Sequence, residues 1–236
     1  MNAAPAGTPS PGVTAPFDEV ARRLAAVRGR IAGVAGGRPV TIVAVTKGFG
    51  PDAVAAALAG GVGDVGESYA HELAAKASAS PANGAGPVRW HFLGAVQRRK
   101  VRALAPLVHL WQSVDREAAG AEIARHAPGA AVLVQVNVTG APGRNGCAWH
   151  EAPALVERLR GFDLDVRGLM AVAGRDRPRP QFARLASLAG DLGLEELSMG
   201  MSDDLEAAVQ EGSTMVRVGR ALFGERPVPE PDGRRR

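Results

Sequence analysis

The sequence predicts an α/β protein folded as a single (β/α)8 TIM barrel with one extra helix before its first strand. Three observations carry this. Short apolar runs alternate with helix-length amphipathic stretches about eight times over roughly 180 residues. Composition shows no break between these units. After the first run stands Lys47-Gly-Phe-Gly50, a tight turn, where a doubly wound open sheet binding a dinucleotide would carry Gly-x-Gly-x-x-Gly. The open sheet is the competing arrangement.

Residues 1–16 are mostly Ala, Pro, Gly, Thr and Ser, and are expected to be a disordered tail. Phe17, Val20, Leu24, Val27 and Ile31 then recur at helical spacing, and Gly36-Gly37 closes that helix. In a barrel it would cap one end. Strands are expected at 40–45, 62–65, 89–93, 108–113, 131–136, 166–170, 196–199 and 215–218. Helices are expected near 51–59, 68–78, 97–105, 115–126, 150–160, 180–190 and 203–211. Pro51 suits a first helical position, where its missing N–H costs little. Asp115 and Ser202-Asp203 suit N-caps. The barrel then spans 17–226, and 227–236 form a second disordered tail.

Composition narrows the function. The chain has 236 residues, 46% hydrophobic and 22% charged, with a net charge of +4. Its arginines are scattered among acids, and Arg234-Arg235-Arg236 is too short for a binding arm, so nucleic acid is not an expected partner. A single cysteine, Cys147, excludes an internal disulfide and fits a reducing compartment. No apolar run approaches the ~18 residues of a membrane span, and no secretory signal is evident. A cytoplasmic location is expected, with no membrane partner.

The first strand, 40–45, is a continuous apolar, β-branched run of the kind buried on both faces, and it leads into Lys47. The chain has only three lysines (Lys47, Lys76 and Lys100) against 25 arginines. Where arginine is the default cation, a lysine at a strand end points to a need for an amine, which can lose its proton and attack a carbonyl. On this stretch alone, a lysine reaching out into water explains the position as well.

Barrel sites lie at the C-terminal strand ends. The residues expected there are Lys47, then Gly66-Glu-Ser-Tyr69, His91 with Gly94, Gln97 and Lys100, Asn137 with Arg144-Asn-Gly146, Met170, Ser198-Met-Gly-Met-Ser-Asp-Asp204, and Arg217, Gly219 and Arg220. They contain one candidate nucleophilic amine but no cluster of His, Cys and carboxylates, so no metal site is expected. Ser198-Met-Gly-Met-Ser202 before a helix suits an anion, and Gly219 admits a close approach of backbone to ligand. Phosphate sites after strands seven and eight are common in this fold. A phosphate site facing an amine points to a phosphorylated aldehyde held as a Schiff base, and pyridoxal 5′-phosphate (PLP) is the obvious candidate. Arg217 could face the pyridine nitrogen. The plainer alternatives are a simple turn at 198–202, an Arg217 paired with Asp203, Asp204 or Glu67, a packed interior His91, a packing Tyr69 and an inert Cys147.

Taken together, Ala44-Val-Thr-Lys47, Gly66-Glu-Ser-Tyr69, Trp90-His-Phe-Leu-Gly94 with Gln97 and Lys100, Gly168-Leu-Met170, Leu197-Ser-Met-Gly-Met-Ser-Asp-Asp204 and Met215-Val-Arg-Val-Gly219 resemble the YggS/PROSC family of pyridoxal phosphate homeostasis proteins. The resemblance covers about residues 17–226. It implies a barrel like the N-terminal domain of alanine racemase, with PLP on Lys47 as an internal aldimine. It also implies phosphate contacts from Ser198, Gly219 and the Arg220 backbone, and Arg217 at the pyridine nitrogen. Ser68, His91, Asn137 and Met170 are expected to line the same cofactor site. The chain departs from the family at Ser68, where asparagine is usual, at Arg99, where asparagine is common, and near Arg144, where a lysine often precedes the glycine.

The resemblance implies a PLP carrier without robust catalysis. Racemases take their second base from a tyrosine of another domain that this chain is expected to lack, and Tyr69 is its only tyrosine. Arginine at the ring nitrogen weakens the electron sink, although racemases manage with one. The alternatives are a weak PLP-dependent amino-acid racemase and a cofactor-free, aldolase-type lysine barrel. PLP-dependent apoenzymes are the expected recipients, and a monomer is the expected state.

Overall fold

A computed structural model describes residues 17–79 and 87–226. The expected tails at 1–16 and 227–236 lie outside the described residues. Eight strands close a barrel in sequence order: β1 Thr41–Val45, β2 Asp64–Glu67, β3 Arg89–Phe92, β4 Val108–Val114, β5 Ala131–Gln135, β6 Asp165–Met170, β7 Glu196–Ser198 and β8 Met215–Val218. All neighbours are parallel, and β1 closes on β8 with Ala44 opposite Val218. The open-sheet alternative is thereby removed.

The helices between them are α2 Pro51–Ala59, α3 Ala70–Ala79, α4 Arg98–Leu104, α5 Glu117–His126, α6 Ala152–Gly161, α7 Pro178–Asp191, α8 Leu205–Gln210 and α9 Arg220–Phe223. Helix α1, Phe17–Ala35, precedes the barrel. No helix among the described residues is long and apolar enough to cross a membrane.

Helix α1 does not cap a barrel end. Its buried stripe of Val20, Leu24, Val27, Ile31 and Ala35 joins Ala53, Ala56 and Ala57 of α2, Leu205 and Val209 of α8, and Leu222 and Phe223 of α9. It lies along the outer wall against α2, α8 and α9. Arg30 ties it to Glu206 at 2.5 Å and Arg23 to the Leu222 carbonyl at 3.4 Å.

Strand β2 lies two residues later than its apolar residues indicate. Gly66 is inside it, and a Cβ there would stand 2.7 Å from the Leu93 side chain and 3.0 Å from that of Val43. The shift makes Glu67 a fully buried strand residue. Pro51 does open α2. Asp115 does not cap α5, whose N-cap is Arg116, and the Asp115 carboxylate pairs with the Arg116 guanidinium at 2.6 Å. Short helix α9 has no apolar run long enough to announce it in the sequence.

The barrel interior is layered. Val43, Leu110, Ala131, Leu133, Met170 and Met215 form an apolar plug. Through it runs a polar line: the Arg217 Nη1 donates to Ser198 Oγ (2.7 Å), Ser198 Oγ donates to Gln112 Oε1 (2.6 Å), and Gln112 Nε2 pairs with His91 Nδ1 (2.7 Å). His91 Nε2 meets Asp64 Oδ1 at 3.0 Å, and Arg89 holds the same carboxylate. Gln112 offers only its N–H to His91 once its oxygen accepts from Ser198, so His91 carries its proton on Nε2. Burial raises the Asp64 carboxyl, but the hydrogen bonds from His91 and Arg89 outweigh it and hold the group well below the usual carboxylate range.

Candidate active site at the C-terminal mouth

Lys47 follows β1 in a turn where the Phe49 N–H donates to the Thr46 carbonyl at 3.0 Å. Gly48 takes φ +78°, and Phe49 packs on Phe223 with ring centroids 5.4 Å apart. Lys47 is therefore the half-buried apex of a fixed turn, at the end where barrel chemistry occurs. Burial lowers its pKa first, then the positive charges of Arg226 and Arg217, while Glu67 and Glu72 oppose the shift. The amine is held toward its neutral, nucleophilic form.

The loop after β7 is pinned at several points. Gly200 has φ +92°, and a Cβ there would lie 2.5 Å from the Ala208 Cβ. Its carbonyl accepts from the Arg217 N–H at 3.0 Å. The Met201 N–H donates to Asp204 Oδ1 at 2.6 Å, and Asp203 pairs with Arg220 Nη2 at 2.8 Å. The two aspartates thus close the loop and make no side-chain cap bond to α8. Ser202 Oγ accepts from the Ala221 N–H at 3.4 Å, which joins this loop to the turn after β8. A Cβ at Gly219 would come 3.2 Å from the Val45 carbonyl, so the ends of β8 and β1 meet closely there.

The expected site residues separate on this geometry. Lys47, Gly219, Arg220 and Arg217 stand at or just past the ends of β1 and β8. Ser198 does not fit a phosphate contact: it is fully buried in the polar line, with its hydroxyl engaged by Gln112 and Arg217. His91 is likewise an interior residue bonded on both ring nitrogens, as the packed alternative had it. Asn137 spends its side chain on its own loop, donating to the Ala141 carbonyl and accepting from Thr139 and Gly140. Met170 is 2% exposed in the apolar plug. Ser68 is half-buried and lines a small cleft of about 130 Å³ with Tyr69, His71, Gln97 and Lys100.

Arg217 is 5% exposed, and burial pushes its guanidinium down to about 10, with Asp204 opposing. It remains cationic at pH 7 and can only donate. Nη1 reaches Ser198 and Nη2 the Ala171 carbonyl at 2.8 Å, so the group is fixed in orientation. Cys147 is buried, which pushes its thiol up to about 12 and leaves it inert.

Sequence reading misses Gln112, which sits in no motif. It places Glu67 at a strand end without joining it to Lys47, and it misses Lys76 and Glu72 around the Lys47 turn. The scarcity of lysine that marks Lys47 marks Lys76 equally.

A cleft of about 520 Å³ lies at the opposite end of the barrel among Ile31, Arg28, Arg38, Thr41 and Arg89. Its arginines serve the fold: Arg28 donates to the Gly60 carbonyl after α2 and Arg38 to the Val209 carbonyl of α8.

Residues 18–227 match the family model of the alanine racemase N-terminal domain. The chain is 41% identical over 228 residues to the pyridoxal phosphate homeostasis protein of Pseudomonas aeruginosa, covering 90% of this chain and 98% of that one. The chain belongs to the pyridoxal phosphate homeostasis protein family. PipY of Synechococcus elongatus, solved with PLP bound, is 30% identical with a TM-score of 0.76, over 87% of this chain and 100% of that chain. Alanine racemase from Corynebacterium glutamicum, at 17% identity and a TM-score of 0.68, shares the fold alone and over 63% of its own length.

Proposed function

We propose that this protein binds PLP at the C-terminal mouth of its barrel, covalently on Lys47, and serves PLP homeostasis by holding the cofactor. The observation that carries this reading is a half-buried amine at the end of β1, its pKa lowered first by burial and then by Arg226 and Arg217, the latter buried and fixed in orientation. A bound PLP supplies an aldehyde that condenses reversibly with a neutral primary amine, and a phosphate that needs fixed donors. Lys47 provides the amine. The Ser202 hydroxyl and the backbone of Gly219 and Arg220 provide phosphate contacts, with the Arg220 side chain left to Asp203. Arg217 would stand at the pyridine nitrogen, where it could only donate.

Four features favour holding over turnover. A cationic donor opposes protonation of the ring nitrogen and weakens the electron sink. Tyr69, the only tyrosine, is 53% exposed with its ring against His71. His91 has both ring nitrogens committed, and the Cys147 thiol is held protonated. A panel of amino acids in deuterated solvent should show no α-proton exchange; exchange at enzymatic rates would favour the racemase reading.

Two serines test the phosphate assignment. Titrating the purified protein with PLP and following the visible absorbance, Ser202→Ala should weaken binding about tenfold, the worth of one hydrogen bond to a charged group. Ser198→Ala should instead cost about 1–3 kcal/mol of stability, because Arg217 and Gln112 each lose a buried partner. Weak binding from Ser198→Ala with Ser202→Ala unchanged would return the phosphate to Ser198.

A further inference from the structure

Both chain neighbours of Lys47 are gripped by one buried charged cluster. Lys76, on α3, is 4% exposed, and its ammonium donates to the Thr46 carbonyl (2.7 Å), Glu67 Oε1 (2.5 Å) and Glu72 Oε2 (3.1 Å). The Thr46 hydroxyl donates to the same Glu67 oxygen at 2.6 Å. Glu72 Oε2 also accepts from the Gly48 N–H at 2.8 Å. The residue before Lys47 is thus fixed through its carbonyl and hydroxyl, and the residue after it through its N–H.

A buried ion pair is a poor device for stability, since well-packed apolar residues of the same volume often do as well. Here the pair is paid for heavily. Glu67 is fully buried, and its Oε2 has no hydrogen-bond partner among the described residues. What the cluster secures is geometry and charge at one turn. Burial pushes the Glu67 carboxyl up while Lys76 and Thr46 oppose the shift, and the negative charge of Glu67 and Glu72 acts on Lys47 against the positive charge of Arg217 and Arg226.

We propose that Glu67, Lys76 and Glu72 are positioning residues for Lys47, a clamp that fixes the 46–48 turn so that the amine emerges in one place. The proposal rests on the reading of Lys47 as the PLP-bearing residue. It assigns the clamp two separable effects. Hydrogen bonds to Thr46 and Gly48 set where the amine stands, and hence how tightly PLP is held. The negative charge keeps the amine more basic than its buried, arginine-flanked setting would otherwise allow, in line with the opposing influence of Glu67 and Glu72 on Lys47.

Glu72 separates the two, because it is the outermost member, with a side chain 21% exposed. Glu72→Ala removes both the acceptor for Gly48 and the charge. Glu72→Gln keeps an acceptor and removes only the charge. The full chain of each variant is titrated with PLP, with affinity taken per folded molecule from near-ultraviolet circular dichroism. In cofactor-stripped protein, the pH profile of Lys47 acylation by acetic anhydride is read by peptide mapping. Glu72→Ala should bind PLP about tenfold more weakly, and Glu72→Gln should recover to within about twofold. Both should shift the acylation midpoint of Lys47 to lower pH, which a merely structural role would not do. Affinity unchanged in Glu72→Ala, a Glu72→Gln as weak as Glu72→Ala, or a midpoint unmoved in both would overturn the clamp. If wild-type Lys47 takes up no PLP, the functional reading fails, while the acylation midpoints still decide the clamp.

Discussion

Lys47→Arg is expected to abolish covalent cofactor binding and weaken PLP affinity by about 100-fold or more, roughly 2.7 kcal/mol. The substitution keeps a positive charge and a long side chain at the same turn. It removes the one property the site is built around, an amine that can be neutral, because a guanidinium does not lose its proton in this range. The proposed phosphate contacts at 202 and 219–220 are untouched, so residual, non-covalent binding should remain. The wild type should show a matching pH dependence. Burial first, then Arg226 and Arg217, lower the Lys47 pKa, so the neutral fraction grows at a lower pH than for an ordinary lysine near about 10.4. The rate of covalent capture should therefore rise with pH and level off earlier than that of a free lysine. Stopped-flow absorbance of PLP mixed with wild type, Lys47→Arg and a lysine peptide measures this.

Gly168→Ala is expected to cost about 4 kcal/mol or more and to prevent accumulation of folded protein. Gly168 stands on β6 opposite Glu196 of β7. A Cβ there would fall 1.8 Å from the Glu196 carbonyl oxygen and 2.5 Å from its carbon. Those are backbone atoms of a paired strand, so no rotamer change relieves the clash; the strands must part, in a barrel whose β7 has only three residues. Gly190→Ala is the control. Gly190 lies inside α7 with nothing within 4 Å of an added Cβ. Alanine there should leave stability unchanged or raise it by up to about 1 kcal/mol through helix propensity. Chemical denaturation of both variants measures the contrast.

The barrel is legible in the sequence because its strands are buried on both faces. Runs such as 131–136 read as continuous apolar segments, and their alternation with helical stretches leaves little topological choice. Lys47 stands out for the same reason: a cation after an apolar strand, in a chain that otherwise uses arginine. Less legible is what depends on side-chain direction. Ser198 and Ser202 share one motif, yet one hydroxyl points into the barrel core and the other to the Ala221 N–H, a distinction set by the positive φ of Gly200 between them. His91 and Gln112 find each other across β3 and β4, where the register shifts, so no linear spacing relates them. Lys76 and Glu72 belong to a helix that reads as amphipathic and solvated. Only the packing of α3 beside the end of β1 turns them inward onto the Lys47 turn. Helix α1 lies along the wall against α2, α8 and α9, neighbours that come together only in the assembled ring.

The central claim is that Lys47 is the residue that holds PLP. Peptide mass spectrometry of protein incubated with PLP and reduced with borohydride tests it most directly. The account predicts a pyridoxyl phosphate mass increment at one position, on the peptide that contains Lys47, with Lys76 and Lys100 unlabelled. An increment on another lysine in the wild type, or none at all, would contradict it.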